Sequence, residues 1–283
     1  MKISIYSDFD GMSKAVADLI AEEIRRKPSA LLCLPSGESP TGIFRYLARY
    51  ASEGTVNFRD ARFVGLDEWV GMDGRHEGSC RHYMDAHLFG PLAIRPEQIR
   101  FFDALSPDLD EECKKMDDHI SRQGPIDIMM VGLGLNGHIG LNEPGADPGS
   151  YSHHSPLDPL TVQVAQKYFQ QETPLREGIT LGLQHFREAA IPILIAGGHK
   201  KAAIVARVLE GEITEQVPAS IIRSLVAGKV FLDREAASQL AGQGGARVNS
   251  QDAARGDLRE AAQGSSRDGA RETGSLPSNG QAS

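Results

Sequence analysis

Cysteine is scarce in this chain: only Cys33, Cys80 and Cys113 occur in 283 residues, and none lies in a C-x-x-C pair. So sparse and odd a count argues against a disulfide framework or a thiolate zinc site, and it fits a reducing compartment. Positive charge is also in short supply. The formal net charge of −8 argues against nucleic acid or an anionic membrane surface as the main partner. A small anionic substrate remains open, because local cations and helix N-termini govern its binding. No apolar run approaches the roughly eighteen residues that a membrane helix needs. The opening MKISIYSDFDG has no apolar core of a secretory signal. The expectation is a cytoplasmic protein with neither a membrane nor a nucleic-acid partner.

The last stretch lacks almost everything a core requires. Residues 242–283 contain eight glycines, no aromatic residue, and Val248, Leu258 and Leu276 as the only larger aliphatics. Such a segment cannot bury enough surface to offset its ordering entropy, so a disordered tail is expected after a domain spanning 1–241. The tail's five arginines balance its five acids, which assigns the negative charge to residues 1–241.

That domain alternates short apolar runs with amphipathic stretches. Strands are expected at ISIY (3–6), ALLCL (30–34), ARFVGL (61–66), QIRFF (98–102), IDIMMV (126–131), GITLGL (178–183), IPILIA (191–196) and KVFL (229–232). Helical patterns lie between most of them: GMSKAVADLIAEEIRRK, SPTGIFRYLARYASEG, GSCRHYMDAHLF, SPDLDEECKKMDDHISRQ and GHKKAAIVARVLEG. Nearly continuous apolar strands separated by helices predict a mostly parallel sheet covered on both faces, a doubly wound, Rossmann-like α/β domain. No internal repeat is evident. Ligands of such folds sit at the carboxyl ends of the strands, so the segments following the strands carry the chemistry.

Four of these segments stand out. LPSGESPTG, residues 34–42, opens a helix with hydroxyls and a glycine turn, which suits a phosphate. Its plainer reading is an N-cap, Ser39 capping and Pro40 at the first helical position. In GLDEWVGM, residues 65–72, Leu66 and Trp69 put a carboxylate beside apolar surface, where its pKa rises toward that of a general base. Backbone alternation sends Asp67 and Glu68 to opposite sides, so only one of them faces a ligand. GLGLNGHIGLNEPG, residues 132–145, places His138 near Asn136 and Glu143 among glycines, either a proton shuttle with its orienting groups or an ordinary glycine turn. In IAGGHKKA, residues 195–202, Lys200 lies in a first helical turn, where only an anion makes a cation favourable; Lys201 beside it reads as surface charge.

The remaining polar groups read as structural. His153 and His154 fall in a polar loop without metal-ligand spacing, and DEECKKMDDH is a solvated helix face. Neither a G-x-x-x-x-G-K-[ST] loop nor a G-x-S-x-G elbow occurs.

Taken together and in order, GLDEWVG, GLGLNGHIGLNEPG, GGHKKA and VLEGEITEQVPAS resemble the amino-sugar-6-phosphate deaminase/isomerase family, with 6-phosphogluconolactonases as distant relatives. The resemblance covers residues 1–240, all but the tail. It implies a single domain with a lid segment that converts a hexosamine 6-phosphate and water to a ketose 6-phosphate and ammonia, without metal or organic cofactor. On that pattern His138 shuttles the ring-opening proton, Asn136 and Glu143 position it, and Asp67 carries the C2 proton to C1. Ser36, Gly37, Ser39, Lys200 and the lid cation Lys167 hold the phosphate. A homo-oligomer is compatible with the resemblance.

The chain departs from the family pattern at three positions. Asn136 stands where many members carry aspartate. Glu38 replaces the usual glycine of the phosphate turn, and is expected to face away or to meet a cation. Lys167 replaces an arginine and loses its bidentate fork. Trp69 and GITLGL look more like the galactosamine-6-phosphate branch than the glucosamine one. The alternatives are a lactonase and a non-catalytic sugar-phosphate sensor.

Overall fold

A computed structural model describes residues 1–241; the segment expected to be a tail lies outside them. The chain begins with β1 (Lys2–Tyr6), α1 (Phe9–Arg26), β2 (Leu31–Leu34) and α2 (Thr41–Ser52). Then come β3 (Arg62–Gly65), β4 (Asp67–Trp69), α3 (Cys80–Met84) and β5 (Ile99–Arg100). The second half holds α4 (Leu109–Gln123), β6 (Ile128–Gly132), β7 (His153–Pro156), α5 (Pro159–Ala165) and β8 (Glu177–Thr180). It closes with α6 (Leu183–Glu188), β9 (Ile191–Ala196), α7 (Ala202–Glu210) and β10 (Lys229–Asp233).

Seven strands form one sheet in the order β1-β10-β9-β6-β2-β3-β5, and every pairing in it is parallel. Side-chain alternation divides the core into two layers. In β6, Ile128 and Met130 pack with α1 and α2 residues such as Val16, Ile20 and Phe44. Met129 and Val131 face the other way, toward Met116 of α4 and Val205 and Val208 of α7. Burial on both faces explains why these strands are apolar without interruption. The helix α1 shows the complementary pattern: Met12, Val16, Ile20 and Ile24 recur every fourth residue and are buried. Its N-terminus is fixed by Asp8, whose carboxylate accepts the Gly11 N–H at 2.7 Å.

The doubly wound expectation holds, with local differences. GITLGL does not join the large sheet. Its residues form β8, the middle strand of a small antiparallel sheet ordered β4-β8-β7, in which Asp67 pairs with Thr180. The stretch expected as a polar histidine loop is β7 of that sheet. There His154 is held at 2.6 Å by Glu177 and at 3.3 Å by Asp110, so it is a packed, ion-paired residue rather than a surface one. QIRFF contributes only two residues to the sheet edge. The pattern GSCRHYMDAHLF splits into α3 and a π-helical turn, Asp85–Phe89. Among the described residues, no helix is long and apolar enough to cross a membrane.

The strand order creates a switch point. From β2 the chain moves outward through β3 to β5, then returns to β6 on the other side of β2 and proceeds to β9 and β10. The loops after β2 and β6 therefore diverge and leave a crevice at their carboxyl ends.

Candidate active site

That crevice is a cavity of about 490 Å³. It is lined by the loop after β2 (Ser36, Gly37, Glu38, Ser39), the loop after β6 (Asn136, His138) and Asp67 of β4. Thr161, Lys167 and Tyr168 of the segment that begins with α5 cover it, and Lys201 projects from the turn after β9.

The lining includes groups suited to proton transfer. Asp67 is buried, and burial pushes its carboxyl up to about 6, against the opposing effects of the Cys80 thiol and the His138 charge. The Cys80 thiol is itself pushed well above its ordinary value by burial and then by Asp67 and Glu68, so it stays protonated and donates to Asp67. A carboxylate held this way is a base near neutral pH. Glu68, the next residue, faces away, as alternation predicts. Its carboxylate accepts the N–H groups of Trp69, Cys80 and Arg81, each at 2.9 Å, and fastens β4 to the start of α3.

Opposite stands His138, whose Nδ1 lies 3.0 Å from the Thr161 hydroxyl and 3.2 Å from Glu143. A carboxylate at Nδ1 fixes the proton there and leaves Nε2 as the working nitrogen. Asn136 braces the pair, its amide donating to Glu143 at 2.9 Å and its carbonyl accepting the His138 N–H at 3.1 Å. Burial alone would raise the Glu143 carboxyl, but hydrogen bonds and charge from His138, with Thr161 and Asn136, hold it below its usual range. The imidazole lies flat on Gly134, where any Cβ would meet the ring at 2.4 Å. That close approach requires glycine at position 134, while Gly137 and Gly140 adopt positive φ.

The loop after β2, whose Ser36 hydroxyl bonds the Cys80 thiol beside Asp67, offers the hydroxyls and backbone that suit an anion. Gly37 adopts φ +90°, and the Tyr168 hydroxyl would lie 2.9 Å from a Cβ there, so the turn backbone and the covering segment meet closely. The expected cap is not made. The helix α2 begins after Pro40, and no side chain caps it. Thr41 instead bonds the Glu38 carbonyl, and Ser39 lines the cavity beneath the helix N-terminus. Glu38 meets a cation as expected, 2.6 Å from the Lys167 ammonium.

Lys200 does not belong to the site. The residues His199–Lys201 form a 3-10 turn in which the Lys201 N–H bonds the Gly198 carbonyl at 3.0 Å. This tight turn leaves Lys200 exposed and brings Lys201 over the cavity, its ammonium bonded to the Leu133 carbonyl. Burial, then the Lys167 charge, pull Lys201 down to about 8. Spacing alone misses this choice. It also misses Thr161 and Cys80, which lie far from their partners in sequence and carry no local signal.

The structure thus brings Asp67, Asn136, His138 and Glu143 into one site with Ser36, Gly37, Ser39 and Lys167, and lines it with Lys201 rather than Lys200. The glucosamine-6-phosphate isomerases/6-phosphogluconolactonase family matches residues 9–231. The glucosamine-6-phosphate deaminase of Thermoanaerobacter pseudethanolicus is 31% identical over 240 residues, covering 84% of this chain and 94% of the relative. That of Clostridium perfringens is 33% identical over 242 residues, covering 85% of this chain and all (100%) of the relative. Among solved structures, a monomeric glucosamine-6-phosphate deaminase superposes with a TM-score of 0.82 at 32% identity, over 84% of this chain and 100% of its own. The chain belongs to the glucosamine-6-phosphate isomerase/6-phosphogluconolactonase family, on its deaminase side.

Proposed function

We propose that this protein converts a hexosamine 6-phosphate and water to a ketohexose 6-phosphate and ammonia. One observation carries the reading: a single cavity is lined both by a buried carboxylate and an imidazole and by a hydroxyl-bearing glycine turn with two lysines. The phosphate sits on the turn at Ser36, Gly37 and Ser39, beneath the N-terminus of α2, with Lys201 and Lys167 supplying charge. The sugar then extends toward Asp67 and His138. The imidazole, held through Nδ1 by Glu143 and Thr161, moves a proton from O1 to O5 as the ring opens. Asp67 takes the C2 proton while the substrate's ammonium passes one proton to O1, giving the enolamine, and Asp67 returns its proton to C1. Water adds to the resulting C2 imine, and ammonia leaves. Every step is acid–base chemistry by groups already in place, so the reaction asks for no metal or organic cofactor.

Between the two sugars, Trp69 favours galactosamine 6-phosphate with tagatose 6-phosphate as product; glucosamine 6-phosphate would give fructose 6-phosphate. Trp69 lines the same cavity, its ring N–H donating to the Gly78 carbonyl at 3.1 Å. The test is ammonia release from both sugars side by side, with a chelator present and Asp67→Asn as control. Turnover that survives the chelator and vanishes in the variant is expected, faster with galactosamine 6-phosphate. Lactone hydrolysis without ammonia release from either amino sugar would refute the reading.

A further inference from the structure

Beyond its assigned groups, the cavity contains a carboxylate on the hydroxyl-bearing turn. Glu38 lies between Gly37 and Ser39 on the turn that would carry the phosphate, and both it and Lys167 line the cavity. Their side chains meet at 2.6 Å across a sequence separation of 129 residues, so the ion pair ties the covering segment to the turn. Tyr168 reinforces the tie. The Lys167 ammonium lies 5.0 Å from its ring centroid, and its hydroxyl rests against Gly37. A phosphate arriving on this turn finds one of its two cations already engaged, by an acid that repels it.

Accepting the hexosamine-phosphate reading above, we infer that Glu38 is an internal competitor for Lys167, a specificity-determining residue that weakens the site's grip on the substrate phosphate. The ammonium has three donors and no strong directional demand, so it can turn from carboxylate to phosphate without moving the backbone. Glu38 then faces an anion at short range, a penalty that depends on the ligand's charge. Lys201, bonded to a backbone carbonyl and influenced by the charges of both Lys167 and Glu38, remains the second cation for the phosphate. The result is a site that holds sugar phosphates loosely and releases them readily, with the covering segment kept in place by protein charges between turnovers.

Glu38→Gln is the informative change, since an amide oxygen still accepts from Lys167 but carries no charge. The pair is exposed, and exposed pairs couple weakly, so KM for the hexosamine phosphate is expected to fall about two- to fivefold. The dissociation constant of inorganic phosphate, measured by calorimetry without turnover, should fall by the same factor. In a Lys167→Gln background the Glu38→Gln change should lose the part of its effect that comes from competition and keep only direct repulsion, a clearly smaller gain. An equal gain in both backgrounds would mean simple repulsion and overturn the competition. Weaker binding, or no change in phosphate affinity, would show that Glu38 supports the substrate or ignores it, and would also overturn the inference. Because phosphate binding is read separately, a protein that turns over neither sugar condemns the functional reading without touching this one.

Discussion

At the residue scale, two displaced groups that line the cavity set the expected pH range. Asp67 rises from 3.8 to about 6, so in its proposed role as base it acts only above that pH. Lys201 falls from 10.5 to about 8, so the charge it is proposed to offer the phosphate is lost above that. The kcat/KM profile should be a bell with limbs near 6 and 8. Lys201→Ala should raise KM about 10- to 100-fold, as loss of a charge-assisted contact does, and abolish the alkaline limb. The exposed Lys200, replaced the same way, should shift KM less than about twofold. The sign for stability runs opposite to that of most acids. Because the folded-state pKa of Asp67 is raised, its ionisation opposes folding. That penalty appears as pH climbs from about 4 to about 6 and is complete above. Asp67→Asn should therefore end turnover yet stabilise the protein by about 1–3 kcal/mol at pH 7.5, with little gain at pH 4. Thermal melts at the two pH values check it.

At the scale of elements, Asp67 lies on a strand of three residues, β4, paired on one side only, with β8. Glu68 fastens that strand by accepting N–H groups from both β4 and α3. Its environment resists the charge: burial pushes the carboxyl up to about 7, despite the N–H groups of Arg81, Cys80 and Trp69. Glu68→Ala would strand buried donors and should cost about 2–3 kcal/mol. The loss can be read from the fluorescence of Trp69, the only tryptophan and itself buried beside it. The small sheet was legible only in its middle strand, read at GITLGL; β4 and β7 were not legible. Strands of three and four residues are too short for periodicity to register, and β7 is made of HHSP, which no β-propensity selects. The long apolar strands and the four-residue repeat of α1 were legible, because burial on two faces or one face imposes those patterns directly.

At the scale of the molecule, residues 1–241 hold every group discussed, and the family match ends at residue 231. Removing residues 242–283 is expected to leave the melting temperature and ammonia release unchanged. A fall in either would assign that segment a part in folding or catalysis.

What the sequence by itself determined is the parallel α/β architecture and the chemistry on offer. Uninterrupted apolar strands can be buried only between helical layers, and an acid, a histidine with nearby amide and carboxylate, and a Ser-Gly turn each follow a strand, where ligands of such sheets bind. Local spacing was enough for Asn136, His138 and Glu143, which share one loop. Only the tertiary structure decided what depends on long-range approach: Thr161 reaching His138 from α5, Cys80 against Asp67, and Glu38 paired with Lys167. It also decided between adjacent lysines, because a single 3-10 turn sends Lys201 inward and Lys200 to solvent. A rotation of about 120° per residue in such a turn leaves no trace in composition or spacing.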